Sequence, residues 1–415
     1  MDVNLSGARG VLVGDNGQVN NVWRVDQRLD AASLVDVGPH QAAGMIRARG
    51  HDEGIVLLAH AEDDAAVAVL EMLLEADEAL AVSLLADIGQ GKAGKLVAAV
   101  TAGTPDREWL RPLPKAAKAI SDRGAELKWT GGLKWAGGLE REQYYRLISS
   151  PGPLRRGKKP KKVSEGYRRI YEGGRIYWSE EGGARAVTGA ILDHYLSSSE
   201  CSRQFGIPTG EEIPITPEVG QRWMQRFSSG AIYRHESSVI PVQQRVVDYL
   251  DSHGGADRFY PLGERAAAAT SPLPYGTHGW VQRFQASGNA FSETLYDAGA
   301  VYGVGGDIES FYNPLGGTSS WLGYPTSNAT RLGSQLTQDF EGGTVFAGIP
   351  AARVVAVPAA SMNLIKHKSL RERLGFPVAA EEPAGNGAGR WQFFENGVVT
   401  FRDGNLDVWV RPDQA

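Results

Sequence analysis

Hydrophobic and polar positions recur in blocks along the C-terminal half of the chain. Tyr167-x-x-x-Tyr171-x-x-Gly174-x-Ile176-Tyr177 returns as Trp223-x-x-x-Phe227-x-x-Gly230-x-Ile232-Tyr233 and as Leu336-x-x-x-Phe340-x-x-Gly343-x-Val345-Phe346. Trp280-x-x-x-Phe284 and Trp391/Phe394-x-x-Gly397-x-Val399 complete five copies. The anchors Tyr171, Phe227, Phe284, Phe340 and Phe394 are 56, 57, 56 and 54 residues apart. An aromatic, a short polar turn with glycine and a β-branched–aromatic pair predict a β-hairpin in each copy. Helical spacing of apolar residues follows over Gly183 to Tyr195 and Pro241 to Leu250, and more loosely over Ala300 to Tyr312. A proline corner then closes each unit: Phe205-Gly206-Ile207-Pro208, Phe259-Tyr260-Pro261, Leu322-Gly323-Tyr324-Pro325 and Leu374-Gly375-Phe376-Pro377. The second corner departs from the others, which predicts a distorted unit. One hairpin with one short helix cannot bury its apolar face, so neighbouring units must stack.

Upstream the beat changes. Residues 34 to 103 are rich in alanine and leucine, with Val37, Ile46, Leu58, Leu70, Leu84 and Val97 set 9 to 14 residues apart. Gly38-Pro39, Gly50-His51, Glu62-Asp63, Asp77-Glu78 and Gly89-Gln90-Gly91 punctuate them, which predicts a stack of short amphipathic helices over residues 30–103. Residues 104–165 read as a connector. It contains the echo Lys128-Trp129-Thr130-Gly131-Gly132-Leu133 and Lys134-Trp135-Ala136-Gly137-Gly138-Leu139, then the basic, proline-rich run Pro151 to Lys162. That run is either a solvated linker or a holder of phosphate on nucleic acid or a membrane surface; the acidity of the rest favours the linker, and nucleic acid is not an expected partner.

Residues 1–25 alternate apolar and polar positions around Gly14-Asp15-Asn16-Gly17. Val11, Leu12, Val13, Gly14, Asn16, Gln18 and Val19 form a β-prone, proline-free stretch able to stack amide ladders in register, as a cross-β template does. A docked hairpin turning at Asp15-Asn16-Gly17 and a mobile terminus stay open beside that.

The corners and hairpins resemble a known family. Trp321-Leu322-Gly323-Tyr324-Pro325, running on to Gln338-Asp339-Phe340-Glu341-Gly342-Gly343-Thr344-Val345-Phe346, and Leu374-Gly375-Phe376-Pro377 are similar to the LGFP repeats of actinobacterial cell-envelope proteins. The resemblance covers residues 166–411. It implies five units around a pseudo-five-fold axis, with the terminal strands closing a ring, and affinity for the mycolic acid–arabinogalactan–peptidoglycan wall. An open solenoid also fits the offset of the terminal copies. The N-terminal stretch resembles bacterial amyloid signalling motifs and the RIP homotypic interaction motif, which implies as partners further copies of the chain or proteins with a matching motif. Residues 34–103 loosely resemble the intracellular helical domain of MgtE-type magnesium transporters, which implies a scaffold. The expected fold class is therefore multidomain α+β.

Composition narrows the chemistry. The chain has 415 residues and a net charge of −5, so no global basic field points to nucleic acid. The single cysteine, Cys201, excludes a disulfide framework and reads as a small buried thiol. No apolar run is long enough for a membrane helix, and residues 1–21 lack the layout of a signal peptide, so the chain reads as cytoplasmic, with a non-classical route to the envelope as the alternative. Eight scattered histidines without a His-Glu-x-x-His or cysteine pair predict no metal site. No Gly-x-Ser-x-Gly elbow appears. Gly89-Gln90-Gly91-Lys92-Ala93-Gly94-Lys95 imitates a P-loop, but Leu96 stands where Ser or Thr must hold magnesium, so no cofactor is expected.

The repeats are richer in aromatic side chains with polar edges, which suit sugars. Trp178 and Trp321 lie off the repeated core positions and lead the ligand-binding candidates, with Tyr324 and Trp280 beside them. The sequence thus points to a non-enzymatic protein that binds a glycan or cell-wall polymer and assembles through its N-terminus. A cytoplasmic signalling or defence adaptor using the repeats as sensor or effector is the alternative, and a cell-wall hydrolase a further one.

Overall fold

A computed structural model of the chain describes residues 37–102, 104–127, 140–146, 161–171, 173–197, 204–216, 222–236, 238–268, 273–286, 292–333, 335–348, 353–364, 368–383, 389–402 and 405–411. The stretch Val11 to Val19 expected to self-associate, the run Pro151 to Pro160 and Cys201 lie outside the described residues. The chain divides into two compact units, Met1–Gln143 with Ser164–Ala184, and Tyr144–Val163 with Arg185–Ala415.

In the first unit the predicted punctuation sets the helices Pro39–Arg49, His51–His60, Asp63–Ala76, Glu78–Asp87 and Gln90–Thr101. Gly38, Gly50 and Gly89 stand before their helices at positive φ (76°, 94° and 94°), a backbone that side chains with a Cβ avoid. Asp77 caps its helix by accepting the Leu80 N–H. Ile46, Leu58, Leu70, Leu84 and Val97 are all buried, as their spacing requires. The P-loop imitation is the start of a helix: Lys92 donates to Ala61 O and pairs with Asp63 at 2.5 Å, so its ammonium serves packing.

The segment expected to be a connector begins with ordered structure. Pro105–Leu110 is a 3-10 turn and Leu113–Glu126 a helix burying Leu113, Ala116, Ala117, Ile120 and Gly124. That i, i+3, i+4, i+7, i+11 stripe is a helical face, obscured in the sequence by the lysines and prolines around it. The stripe packs on the first hairpin, Lys161–Tyr171 with Gly174–Ser179. A Cβ on Gly124 would lie 3.1 Å from the Tyr171 hydroxyl, so glycine is what lets the two approach. The Tyr167 hydroxyl donates to Trp109 O, and the Arg169 guanidinium pairs with Asp87.

The second unit holds small antiparallel sheets in succession. In the second repeat Ile213–Thr216, Arg222–Phe227, Gly230–His235 and Ser238–Gln243 pair in that order. The tight turn Ser228-Ser229 joins Phe227 to Gly230, which face each other in the register. The expected helices start later than their apolar spacing suggests. Ser238–Gln243 and Val301–Gly305 are third strands, and the helices Gln244–Ser252 and Gly306–Tyr312 follow them; the fourth repeat, for which no helix was expected, has the same order in Val354–Pro358 and Ala359–Leu364. The reason is local: the third strands are rich in β-branched residues, as in Val239-Ile240-Pro241-Val242, and have an edge to join. In the first repeat too, Gly183–Thr188 is strand and only Gly189–Leu196 helix.

Each proline corner belongs to the hairpin that follows it. Pro208 bridges Phe227, Pro325 bridges Phe340 and Pro377 bridges Phe394. The divergent corner does the same as a short strand, Phe259–Pro261, with Pro261 opposite Phe284. Corner glycines 206, 323 and 375 sit at φ 70°, 66° and 74°, which explains the Gly before the aromatic or aliphatic residue and Pro.

A second device was not anticipated. Two residues before the anchors stand Gln225, Gln282, Gln338 and Gln392, all buried. Gln225 Nε2 donates to Ala186 O (2.6 Å) and Gly210 O (3.0 Å), and Gln338 Nε2 to Gly303 O (2.8 Å) and Ser327 O (2.9 Å). Gln282 reaches Pro241 O and Gly263 O, and Gln392 reaches Ala379 O. One carbonyl lies on the preceding repeat's third strand and the other on the hairpin's own corner, so in three repeats the amide joins one repeat to the next. The first repeat has Arg169 in this place.

Among the described residues the structure is thus N-terminal helices followed by five small antiparallel sheets, none closed into a barrel. Among the described residues no helix is long and apolar enough to cross a membrane.

Candidate functional site

The fourth repeat gathers the most ligand-like surface. Leu322 and Tyr324 of its corner point into the core with Phe340, Tyr296 and Tyr312, which leaves Trp321 outside, 42% exposed. Its backbone is held by Tyr275, whose hydroxyl donates to Trp321 O at 2.7 Å. The turn Gly342-Gly343 gives it a seat. A Cβ on Gly342 would lie 1.9 Å from Trp321 O, and one on Gly343 would lie 3.1 Å from the indole. Glu341, the residue before these glycines, accepts the Tyr324 N–H (2.8 Å) and the Thr277 hydroxyl, pinning the corner on the turn.

Beside the indole lies an open groove of about 320 Å³ lined by Asp339, Phe340, Gly343, Thr344, Ala359, Met362 and Asn363. Strand alternation exposes Asp339 between buried Gln338 and Phe340. The Thr344 hydroxyl donates to Asp339 Oδ1 at 2.6 Å, which fixes the carboxylate. The helix Ala359–Leu364 brings Met362 and Asn363 to the opposite wall. A carboxylate, a hydroxyl and an amide thus share one groove, and Gly343 of its lining abuts the Trp321 indole.

The other predicted residues fare differently. Trp178 is 2% exposed, its ring tilted against Tyr167 (6.0 Å, 41°) with Lys115 5.9 Å from it. Lying off the repeated positions marked it as a packing contact of the first unit, with no open face. Tyr324 is also 2% exposed, edge-on to Tyr296, and burial pushes its hydroxyl above the usual value. Trp280 is 43% exposed, but the Arg265 guanidinium lies 4.0 Å from its ring centre and covers one face. Burial lowers Arg265, while Asp297, already paired with Arg245 at 2.9 Å, acts the other way. Of the four, the structure leaves Trp321 with a groove beside it.

The last repeat adds two rings not singled out from the sequence. The register places Trp391, Phe393, Val398, Thr400, Asp407 and Trp409 on one face. Trp391 is 38% exposed and lies near-parallel to Phe393 (6.4 Å, 12°). In the second repeat the matching face, Met224, Tyr233, Ile240 and Val242, is buried with Val246, Val247 and Leu250 of the following helix. Among the described residues no helix follows Asn405–Val410. The exchange of third-strand aliphatics for Asp407 and Trp409 was the sequence signal.

Among the described residues no group of three or more His, Cys, Asp or Glu side chains is placed to hold a metal ion. In comparisons with known proteins, the LGFP repeat family model matches residues 158–199, the first of the five copies. No curated protein matches the chain.

Proposed function

We propose that the chain is a non-enzymatic ligand-binding protein whose repeats hold a glycan, a cell-wall polymer in the first place. The observation that carries this is the exposed indole of Trp321 beside the groove of Asp339, Thr344 and Asn363. A sugar ring presents an apolar face of C–H groups and a rim of hydroxyls. Indole takes the first, and a carboxylate, hydroxyl and amide take the second. Trp391 and Trp409 offer further ring faces, which suits a polymer that meets several weak sites at once. The match to the LGFP repeat family favours a cell-wall glycan as the ligand. Residues 1–25 complete the proposal as a homotypic assembly motif, through which the chain meets further copies or proteins with a matching stretch. The test is retention of the purified protein on insoluble cell wall. Binding released by soluble wall oligosaccharide supports the function, and passage of all the protein through the pellet wash refutes it.

A further inference from the structure

The helix Gln244–Ser252 ends at His253, whose exposed ring stacks on Tyr249 (4.0 Å, 17°). Main-chain groups on both sides fix where the protons of this corner lie. His253 Nδ1 is 2.8 Å from Tyr249 O and 2.9 Å from Ser252 Oγ, whose own hydrogen is donated to Tyr249 O. A carbonyl only accepts, so Nδ1 carries the hydrogen and Nε2 is left with its lone pair. On the other side the Gly303 N–H donates to Asn328 Oδ1 at 3.0 Å, so the opposite end of that amide, Nδ2, is the atom 3.2 Å from His253 Nε2. The Tyr249 hydroxyl lies 3.2 Å from both Asn328 Oδ1 and Glu293 Oε1.

We propose that the His253–Asn328 contact is a proton-operated latch between the second and fourth repeats, closed while the imidazole is neutral and released when Nε2 takes up a proton. Protonated, Nε2 and the amide nitrogen are two donors facing each other across 3.2 Å. The amide cannot turn over in relief, because its NH₂ would then meet the Gly303 N–H. The ring, exposed to solvent, is the part that leaves. Among the described residues no carboxylate lies within ion-pairing distance of the ring, whose polar contacts are Ser252, Tyr249 O and Asn328. On its own helix Tyr249 is neutral, and Asp251 is held by Arg226 through two contacts of 2.6 and 2.8 Å. On the facing strand Glu293 is pushed up by burial against the opposing pull of the Tyr249 hydrogen bond and of the His253 charge, and its Oε1 accepts from the Tyr249 hydroxyl rather than from the ring.

Release bears on the fourth repeat. Asn328 follows Ser327, whose hydroxyl accepts the Asp339 N–H (3.0 Å) and whose carbonyl accepts from Gln338 (2.9 Å). Asp339 lines the groove described above, so control of ligand binding rests on the proposed function, while the latch itself does not. Histidine side chains change charge between about pH 5 and 8, so the test compares the full chain at about pH 7.5 and about pH 5.5. Thermal unfolding of wild type should drop more on acidification than that of His253→Gln. In Asn328→Asp a carboxylate faces Nε2, and the histidine-dependent part should change sign, the variant gaining at acid pH. Equal acid shifts in all three proteins would overturn the latch. Crystal structures of wild type at the two pH values give a second readout. The 3.2 Å contact should be lost at the lower pH with the Gly303–Asn328 bond intact, and its persistence there would refute the proposal.

Discussion

Replacing Gln338 by leucine removes one of the amides that join repeat to repeat. Two donor bonds vanish, to Gly303 O and Ser327 O. At a net worth of about 0.5–1.5 kcal/mol for each bond, the loss is about 2 kcal/mol. Part is offset, because Gln338 Oε1 is buried without a hydrogen-bond partner and its desolvation disappears with it. The net cost should be about 1–2 kcal/mol, which at about 2–4 °C per kcal/mol for a body of this size lowers the melting temperature by about 2–8 °C. Gln282→Leu should cost less, since its bonds are longer at 3.3 and 3.1 Å. Gln338→Glu should cost more than Gln338→Leu at neutral pH, because a buried carboxylate then faces two carbonyl oxygens, and less as acid restores a donor. Calorimetry of the full chain with its three variants decides it. A Gln338→Leu protein as stable as wild type, or a Gln338→Glu protein no worse than the leucine variant, would refute the role given to the amide.

Gly323→Ala should destabilise by about 1 kcal/mol or more in the same assay, since φ is 66° and a Cβ would lie 2.6 Å from the Tyr275 ring. Arg169→Gln, which installs the residue found at this place in the other repeats, should weaken the first unit by about 1–3 kcal/mol, because the buried guanidinium partner of Asp87 is lost; amide hydrogen exchange at Tyr167–Tyr171 should rise. Burial raises Glu293 despite the opposing hydrogen bond from Tyr249. A raised carboxyl favours the fold below its unfolded value, and that benefit is lost as pH rises through the folded one. Glu293→Gln should therefore melt higher than wild type at neutral pH and above, with the gain shrinking towards acid. A constant offset at every pH would contradict the assignment.

The repeat was legible because its anchors are both spaced and chemically matched: an aromatic must sit where the proline corner bridges, and a glycine where the turn tightens. The helical stack was legible for a similar reason, since Gly38, Gly50 and Gly89 mark turns that only glycine makes cheaply. The ends of the third strands read as helix in the sequence because Pro241-Val242-Gln243 runs directly into an amphipathic helix and blurs both periods, and only the free edge of the second strand decides between them. Trp178 misled for a physical reason. A ring off the repeated positions either meets a ligand or packs on something unique to its copy, and the first hairpin packs on Leu113–Glu126. Gln225, Gln282 and Gln338 are hidden in the sequence because a polar residue in a strand has the pattern of a solvent face, and only the fold brings two carbonyls to each amide. The Tyr249–Asn328 network was invisible because its members come from three repeats.

The central claim is that Trp321 and its groove hold a sugar. Binding of the purified chain to soluble cell-wall oligosaccharide, followed by calorimetric titration, should be weakened about tenfold or more by Trp321→Ala, the loss of roughly 1.4 kcal/mol of ring contact. The same titration should be unchanged in Trp178→Phe, which alters only a buried ring. Equal affinities for wild type and Trp321→Ala would contradict the account.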